Sequence, residues 1–154
     1  MTAHLPTAGA GVPDFCLPNQ FGEDVRLDGL RGAGVVLVFF PFAFSQVCRS
    51  ELAELQAERA LFDDAGVRLL AISCDSKYTL RAWAEQEGFG FDLLSDFWPH
   101  GEAARAFGAF DARRGLAERA SFVIDGGGTL RTCIRSGPGE ARPLEQYRTA
   151  LEEL

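Results

Sequence analysis

The stretch that decides the fold is VVLVFFPFAFSQVCRSEL, residues 35–52. Val35 to Phe40 is entirely apolar, which is typical of a central strand that is buried on both faces of a sheet. From Gln46 to Asp64 the apolar residues instead recur with the spacing of a helix. The stretch therefore predicts a buried strand followed by a helix, with Cys48 in the first turn of that helix.

A second buried strand is predicted by the run VRLLAIS, residues 67–73, which follows Gly66 at the end of the helix. The three elements form a βαβ unit, whose crossover is right-handed in nearly all known sheets. The elements expected next are helices over 76–87 and 102–107, a short strand over 91–94 and a polar loop over 111–118.

The last part of the chain predicts a hairpin and a closing helix. Strand-forming runs at 120–124 and 130–134 are joined by DGGGT, and Pro143 occupies a first-turn position before a helix to about Leu154. This order predicts a thioredoxin-like α/β fold, in which helices flank a central mixed sheet, with extra N-terminal segments. We expect a flexible N-terminal segment over 1–12 and one domain over 13–154.

Composition narrows the possible functions. The 154 residues carry a formal charge of −7, and attraction to nucleic acid or anionic lipid needs clustered Lys and Arg, so we expect neither partner. We find no signal-peptide pattern, and the four cysteines are too far apart for a CxxC pair or a zinc or iron–sulfur motif. We therefore expect a cytoplasmic protein with reduced thiols and no metal, haem, flavin or nucleotide cofactor.

Cys48 is the candidate reactive group. Cysteine attacks as the thiolate, and the unpaired N–H groups and dipole of a first helical turn favour that negative charge. Pro41 has no N–H and a fixed φ, so it can bend the chain out of the strand, and Ser45 can aim a hydroxyl at the same spot. Taken one at a time, Cys48 also fits a packed thiol, Pro41 the end of a strand and Ser45 a helix N-cap. The prediction of a reactive site therefore depends on their combination.

A family resemblance rests on the same residues. PFAFSQVC, residues 41–48, resembles the P-x-x-x-T/S-x-x-C motif of the peroxiredoxins, thiol peroxidases with a thioredoxin-like fold. Serine here replaces the commoner threonine and keeps its hydroxyl. VPDF at 12–15, SDFWPHG at 95–101 and RASFVID at 119–125 extend the resemblance, which is closest to the AhpE-like one-cysteine group.

The resemblance implies a role for each matching residue. By this resemblance Cys48 would be the peroxidatic cysteine, with Pro41, Ser45 and Arg119 as its catalytic partners. Glu51 supports the arginine and substrate network. Attack on a peroxide O–O bond builds charge on the departing oxygen, which the N–H groups of Ser45 and Cys48, the Ser45 hydroxyl and the guanidinium would stabilise.

The resemblance also implies partners. Attack would leave a sulfenic acid on Cys48, and Ala53 stands where some peroxiredoxins carry a resolving cysteine, so the expected reductant is an external low-molecular-weight thiol or a thioredoxin- or glutaredoxin-like protein. Cys74 is a possible resolving cysteine, although a packed thiol is the favoured interpretation. We also expect a homodimer or larger homo-oligomer, with contacts around 42–44 and 97–100.

Two other functions stay open at this point. A thioredoxin-like thiol–disulfide oxidoreductase would share the fold, but that reaction normally needs a second thiol where this chain has Ser45. A redox-sensing or holdase module would use Cys48 without turnover. The leading prediction is a peroxidase that reduces hydrogen peroxide, organic hydroperoxides or peroxynitrite through a sulfenic acid on Cys48.

Overall fold

The computed structural model describes residues 5–137 and 139–154. The strands are β1 (Cys16–Pro18), β2 (Asp24–Arg26), β3 (Gly34–Phe39), β4 (Val67–Ser73), β5 (Asp92–Ser95), β6 (Phe110–Asp111), β7 (Leu116–Ala117), β8 (Ala120–Ile124) and β9 (Leu130–Arg135). The helices are α1 (Gln46–Ala57), α2 (Arg59–Asp64), α3 (Lys77–Glu87), α4 (Glu102–Ala106) and α5 (Leu144–Glu152). Within the described part of the chain, no helix has the length and apolar character needed to cross a membrane.

A five-stranded mixed sheet forms the centre of the fold. Its strand order is β5-β4-β3-β8-β9, in which β3 runs parallel to β4 and antiparallel to β8. The predicted βαβ unit and the predicted β8–β9 hairpin are both present, and β3 is the middle strand. The prediction of a central strand with neighbours on both sides is therefore confirmed.

The side chains of β3 alternate between two cores. Val36, Val38 and the following Phe40 join a cluster that includes Cys48 and Trp83, on the side covered by α1, α2, α3 and α5. The other residues of the strand point into a second cluster, which contains Phe107 and Phe122 and is covered by α4 and the N-terminal segments. Because both faces are buried, every position from 35 to 40 is apolar.

The predicted single helix over 46–64 is wrong, because the chain divides into α1 and α2 at Glu58. Glu58 has φ −102° and ψ 24°, outside the helical range. Glu58 and Arg59 interrupt the apolar stripe, so no buried side chain holds the helix continuous there. The break lets α2 turn Phe62 into the core against Tyr147.

The segment over 111–118, predicted as a polar loop, contains the last residue of the short strand β6 and the whole of the short strand β7. Leu116 and Ala117 are buried, which explains why the second strand forms within a polar stretch. A further short hairpin, β1–β2, lies in the N-terminal part, where the sequence predicted only extra segments.

The predicted boundary at residue 12 stays a prediction, and residues 1–4 lie outside the described residues. Gly9 donates a backbone hydrogen bond to the carbonyl of Leu130 at 2.8 Å, and the Leu130 N–H donates to Ala10 at 2.9 Å.

Helix α3 follows β4 directly, as predicted. The Ser76 hydroxyl oxygen accepts a hydrogen bond from the Thr79 N–H at 3.2 Å and so caps the helix. Gly88 ends it with φ +74°, a left-handed conformation that glycine adopts without steric cost. The turn between β4 and α3 contains Cys74 and Asp75, and the Asp75 side chain contacts the chain that leads into α1.

Candidate active site

The candidate site lies where the chain leaves β3 and enters α1. We call residues 41–45, which lie between Phe40 and the start of α1, the active-site loop. Cys48 is in the first turn of α1, as predicted, and its side chain is completely buried. Ser45 occupies the N-cap position with an extended backbone, and its carbonyl accepts the first helical hydrogen bond from Arg49 at 2.9 Å. The amino-terminal end of the helix is therefore close to the sulfur, where it favours negative charge.

The Ser45 hydroxyl stays within the active-site loop. It donates a hydrogen bond to the carbonyl of Phe42 at 2.9 Å and makes no side-chain cap to the helix. Ser45 is therefore at the N-cap position that its sequence context fits, but its hydroxyl makes no capping hydrogen bond because it turns back to the loop. Pro41 lies at the start of the same loop and is half-buried.

Glu51 and Arg119 are brought together next to Cys48. Glu51 is one helical turn beyond the cysteine on the same face of α1, and Arg119 comes just before β8. Nη1 of Arg119 donates to Oε1 of Glu51 at 2.6 Å, and both side chains are buried. Nε of Arg119 is also buried and has no hydrogen-bond partner among the residues that the structure describes.

A second arginine, Arg142, completes this cluster and was not predicted. Its Nε and Nη2 each donate to a different oxygen of Glu51 at 2.9 Å, and its backbone N–H donates to the same carboxylate at 2.6 Å. Its Nη1 donates to the carbonyl of Phe39 at 2.7 Å and to the Ser121 hydroxyl at 3.1 Å. Nothing in its local sequence distinguishes Arg142 from an exposed arginine in a loop before a helix.

The electrostatics of the cluster favour an anion. Burial opposes ionisation of Glu51, but the hydrogen bonds and charge of Arg142, with the charge of Arg119, keep the pKa of Glu51 below its usual value. Burial likewise works against the charge on Arg142, yet the hydrogen bonds to Glu51 outweigh it and raise the pKa of Arg142. Two guanidinium groups around one carboxylate leave one net positive charge in the buried region next to Cys48.

The other cysteines have different surroundings. Cys74 is buried, and this burial, with the negative charges of Asp96 and Asp75, raises the pKa of its thiol to about 12. Cys16 and Cys133 are exposed, and Cys133 lies on β9 at the edge of the sheet. Among the described residues, no group of three or more His, Cys, Asp or Glu side chains is arranged to hold a metal ion.

Fold and site together define a class of protein. A cysteine at the start of a helix, with two buried guanidinium groups nearby on a thioredoxin-like sheet, suits an enzyme that uses a thiolate as its nucleophile. The chain belongs to the AhpC/TSA family of peroxiredoxins, whose sequence profile matches residues 8–133.

Known relatives agree with this assignment. The chain is 44% identical to alkyl hydroperoxide reductase E of Mycobacterium tuberculosis over 147 residues, which is 95% of this chain and 96% of that protein. Among solved structures, peroxidoxin BcpB of the same organism superposes with a TM-score of 0.86 at 29% identity, covering 98% of this chain and 99% of that one. AhpC of Enterococcus faecalis also has a TM-score of 0.86 at 29% identity, covering 97% and 92%.

These similarities confirm three of the predictions. The fold is thioredoxin-like, with a central mixed sheet flanked by helices. The resemblance to the AhpE-like group is correct. The protein is an enzyme, a thiol-dependent peroxidase, and the one-cysteine type fits its similarity to alkyl hydroperoxide reductase E.

Proposed function

We propose that this peroxiredoxin reduces hydrogen peroxide, organic hydroperoxides or peroxynitrite by attack of the Cys48 thiolate on the O–O bond. A sulfur–oxygen bond forms as the O–O bond breaks, so Cys48 becomes a sulfenic acid, and the departing oxygen leaves as an anion that takes up a proton. The observation that carries the proposal is the burial of Cys48 at the start of α1 beside Glu51 and two buried arginines.

We assign the groups around the sulfur by what each can donate. Nε of Arg119 has no partner among the described residues, which supports a role as a donor to a peroxide oxygen. Arg142 adds positive charge that favours the thiolate, and Glu51 holds both guanidinium groups in place. Because the Ser45 hydroxyl gives its proton to Phe42, we assign to its oxygen the role of accepting a hydrogen bond from the peroxide, and to Pro41 the role of keeping water from the thiolate.

For the return to the thiol, we propose an external reductant. A first thiol attacks the sulfenic acid to give a mixed disulfide and water, and a second thiol then releases Cys48 and forms a disulfide with the first. The raised pKa of Cys74 supports this route, because a buried thiol that stays protonated is a poor internal nucleophile. The reductant would be a low-molecular-weight thiol or a thioredoxin- or glutaredoxin-like protein.

We also propose that the protein forms a homodimer or larger homo-oligomer through the face next to the site. Large aromatic side chains are exposed there on the active-site loop and on the segment after β5, namely Phe42, Phe44, Phe97 and Trp98. Apolar side chains grouped in this way favour burial against a partner. A cytoplasmic location is a further proposal, which the four free cysteines support.

Replacement of Cys48 by serine tests the proposed reaction. The Cys48→Ser variant should consume no peroxide above background, because a hydroxyl has almost no nucleophilic anion near neutral pH. Cys74→Ser is the matched control, and we expect its initial rate to stay within about twofold of the wild type. Intact mass after one equivalent of peroxide should show the added oxygen on Cys48, and a cross-link to Cys74 would contradict the one-cysteine cycle.

A further inference from the structure

The active-site loop is hydrogen-bonded to the side chain of Asp75, which lies in the turn after β4. The backbone N–H of Ala43, at the middle of the loop, donates to Oδ2 of Asp75 at 2.8 Å. Ala43 is buried, and Asp75 is half-buried in the turn between β4 and α3. The contact therefore joins two segments that are far apart in the sequence.

Asp75 is itself fixed to two strands of the sheet. The hydroxyl of Ser73, the last residue of β4, donates to the same Oδ2 at 2.7 Å. The hydroxyl of Ser95, the last residue of β5, donates to the Asp75 carbonyl at 2.6 Å. Both serines are buried at the carboxyl ends of strands, so their positions are set by the sheet. The carboxylate oxygen that accepts the Ala43 N–H is consequently held in place by contacts that do not involve the loop.

The next residue of the loop explains why such a contact is needed. Phe44 has φ +68°, the left-handed region that residues with a side chain rarely adopt. Its half-exposed ring lies 6.1 Å from the ring of Trp83, centroid to centroid. A strained conformation of this kind persists only where its surroundings hold it. The Asp75 contact lies directly before Phe44, and Ser45 follows directly after it.

We propose that Asp75 is a positioning residue for peroxide reduction, whose Oδ2 fixes the Ala43 N–H and thereby holds Ser45 in its place beside Cys48. The inference rests on the proposed function and extends it to a residue outside the peroxiredoxin motif. Arg119, Arg142 and the helix terminus favour the thiolate independently of this contact. Loss of the Asp75 oxygen should therefore weaken the reaction with peroxide more than it weakens the formation of the thiolate.

The test compares the variants Asp75→Ala and Asp75→Asn with a control, Asp92→Ala. Asp92 lies on β5, is partly exposed and forms an ion pair with Arg68. For each we would measure the second-order rate constant with hydrogen peroxide and the pH profile of Cys48 alkylation by iodoacetamide. Asp75→Ala should lower the peroxide rate constant about tenfold and leave the alkylation profile in place. Asp75→Asn, which keeps an acceptor oxygen, should stay within about threefold of the wild type, as should the control.

A direct readout of the contact is amide hydrogen exchange at Ala43, which should become faster in Asp75→Ala and not in Asp75→Asn. Equal losses in peroxide reaction and alkylation, or a peroxide rate constant no lower than that of Asp92→Ala, would overturn the proposal. If Asp75→Ala does not fold, Ser73→Ala takes its place, and an unchanged peroxide rate constant there overturns it. Failure of the proposed function is distinct, because the wild-type protein would then show no reaction of Cys48 with peroxide.

Discussion

The two buried cysteines, Cys48 and Cys74, have similar places in the fold and opposite electrostatic surroundings. Each follows one of two neighbouring parallel strands, β3 and β4, and each side chain is at least nine-tenths buried. Cys48 lies beside a cluster with net positive charge, whereas the carboxylates of Asp75 and Asp96 face Cys74. Burial alone disfavours a thiolate, so the sign of the neighbouring charge decides which cysteine can be a nucleophile.

Removal of Arg142 should have the largest effect on this contrast. In Arg142→Met, Cys48 loses a buried positive charge and its surroundings become more like those of Cys74. We expect the peroxide rate constant to fall on the order of 100-fold. Arg142→Lys should recover only part of it, because an ammonium cannot make the two-pronged contact with Glu51.

The control for Arg142→Met is Arg131→Met. Arg131 is an exposed arginine on the same sheet, and the substitution removes its ion pair with Asp125. Its peroxide rate constant should match the wild type. Arg142→Met should also unfold at lower temperature, since it leaves Glu51 with one buried partner instead of two. An Arg142→Met protein that is folded and reacts at the wild-type rate would contradict the electrostatic explanation.

The second prediction concerns Asp96, on the side of Cys74. Burial raises the pKa of Asp96 to about 6, although its carboxylate accepts hydrogen bonds from the Ala103 and Ala104 N–H groups. Because folding raises the pKa of this carboxyl, its protonated form favours the folded state. The resulting stabilisation is complete at a pH below the pKa that the carboxyl has in the unfolded chain. That contribution is lost as the pH rises through about 6.

Asp96→Asn should therefore remove part of the pH dependence of stability between about pH 4 and pH 6. The difference amounts to up to about 3 kcal/mol, because each pKa unit corresponds to about 1.4 kcal/mol. Urea unfolding of the wild type and the variant across this range measures it. Parallel curves for the two proteins would show that Asp96 ionises normally in the folded state.

The smallest expected effect is on the reactivity of Cys74 itself. Near neutral pH, iodoacetamide should modify Cys48 well before Cys74, because the pKa of Cys74 is raised to about 12. In a Cys48→Ser background, Asp96→Asn should speed alkylation of Cys74 a few-fold, since it removes one of the two facing charges. Peptide mass spectrometry of the alkylated protein provides the rates, and equal rates with and without Asp96 would contradict a role for its charge.

The central part of the fold could be predicted from the sequence because its signals are local. A strand that is buried on both faces must be apolar at every position, as it is over 35–40, and helical periodicity identified the start of α1. The break at Glu58 was missed because two adjacent side chains without a core partner, those of Glu58 and Arg59, leave little trace in a periodic pattern. The two-residue strands β6 and β7 were missed because runs of that length have no measurable alternation.

The sequence by itself determined the strand–loop–helix junction, the position of Cys48 in the first helical turn and the resemblance that led to peroxide chemistry. Only the tertiary structure decided the surroundings of the sulfur. Arg142 reaches Glu51 across 91 residues of chain, and Asp75 reaches Ala43 across 32. Contacts over such distances depend on where the sheet places the ends of its strands. Local patterning therefore indicates which cysteine can react, while the packed fold supplies the charges and fixed oxygens that distinguish Cys48 from Cys74.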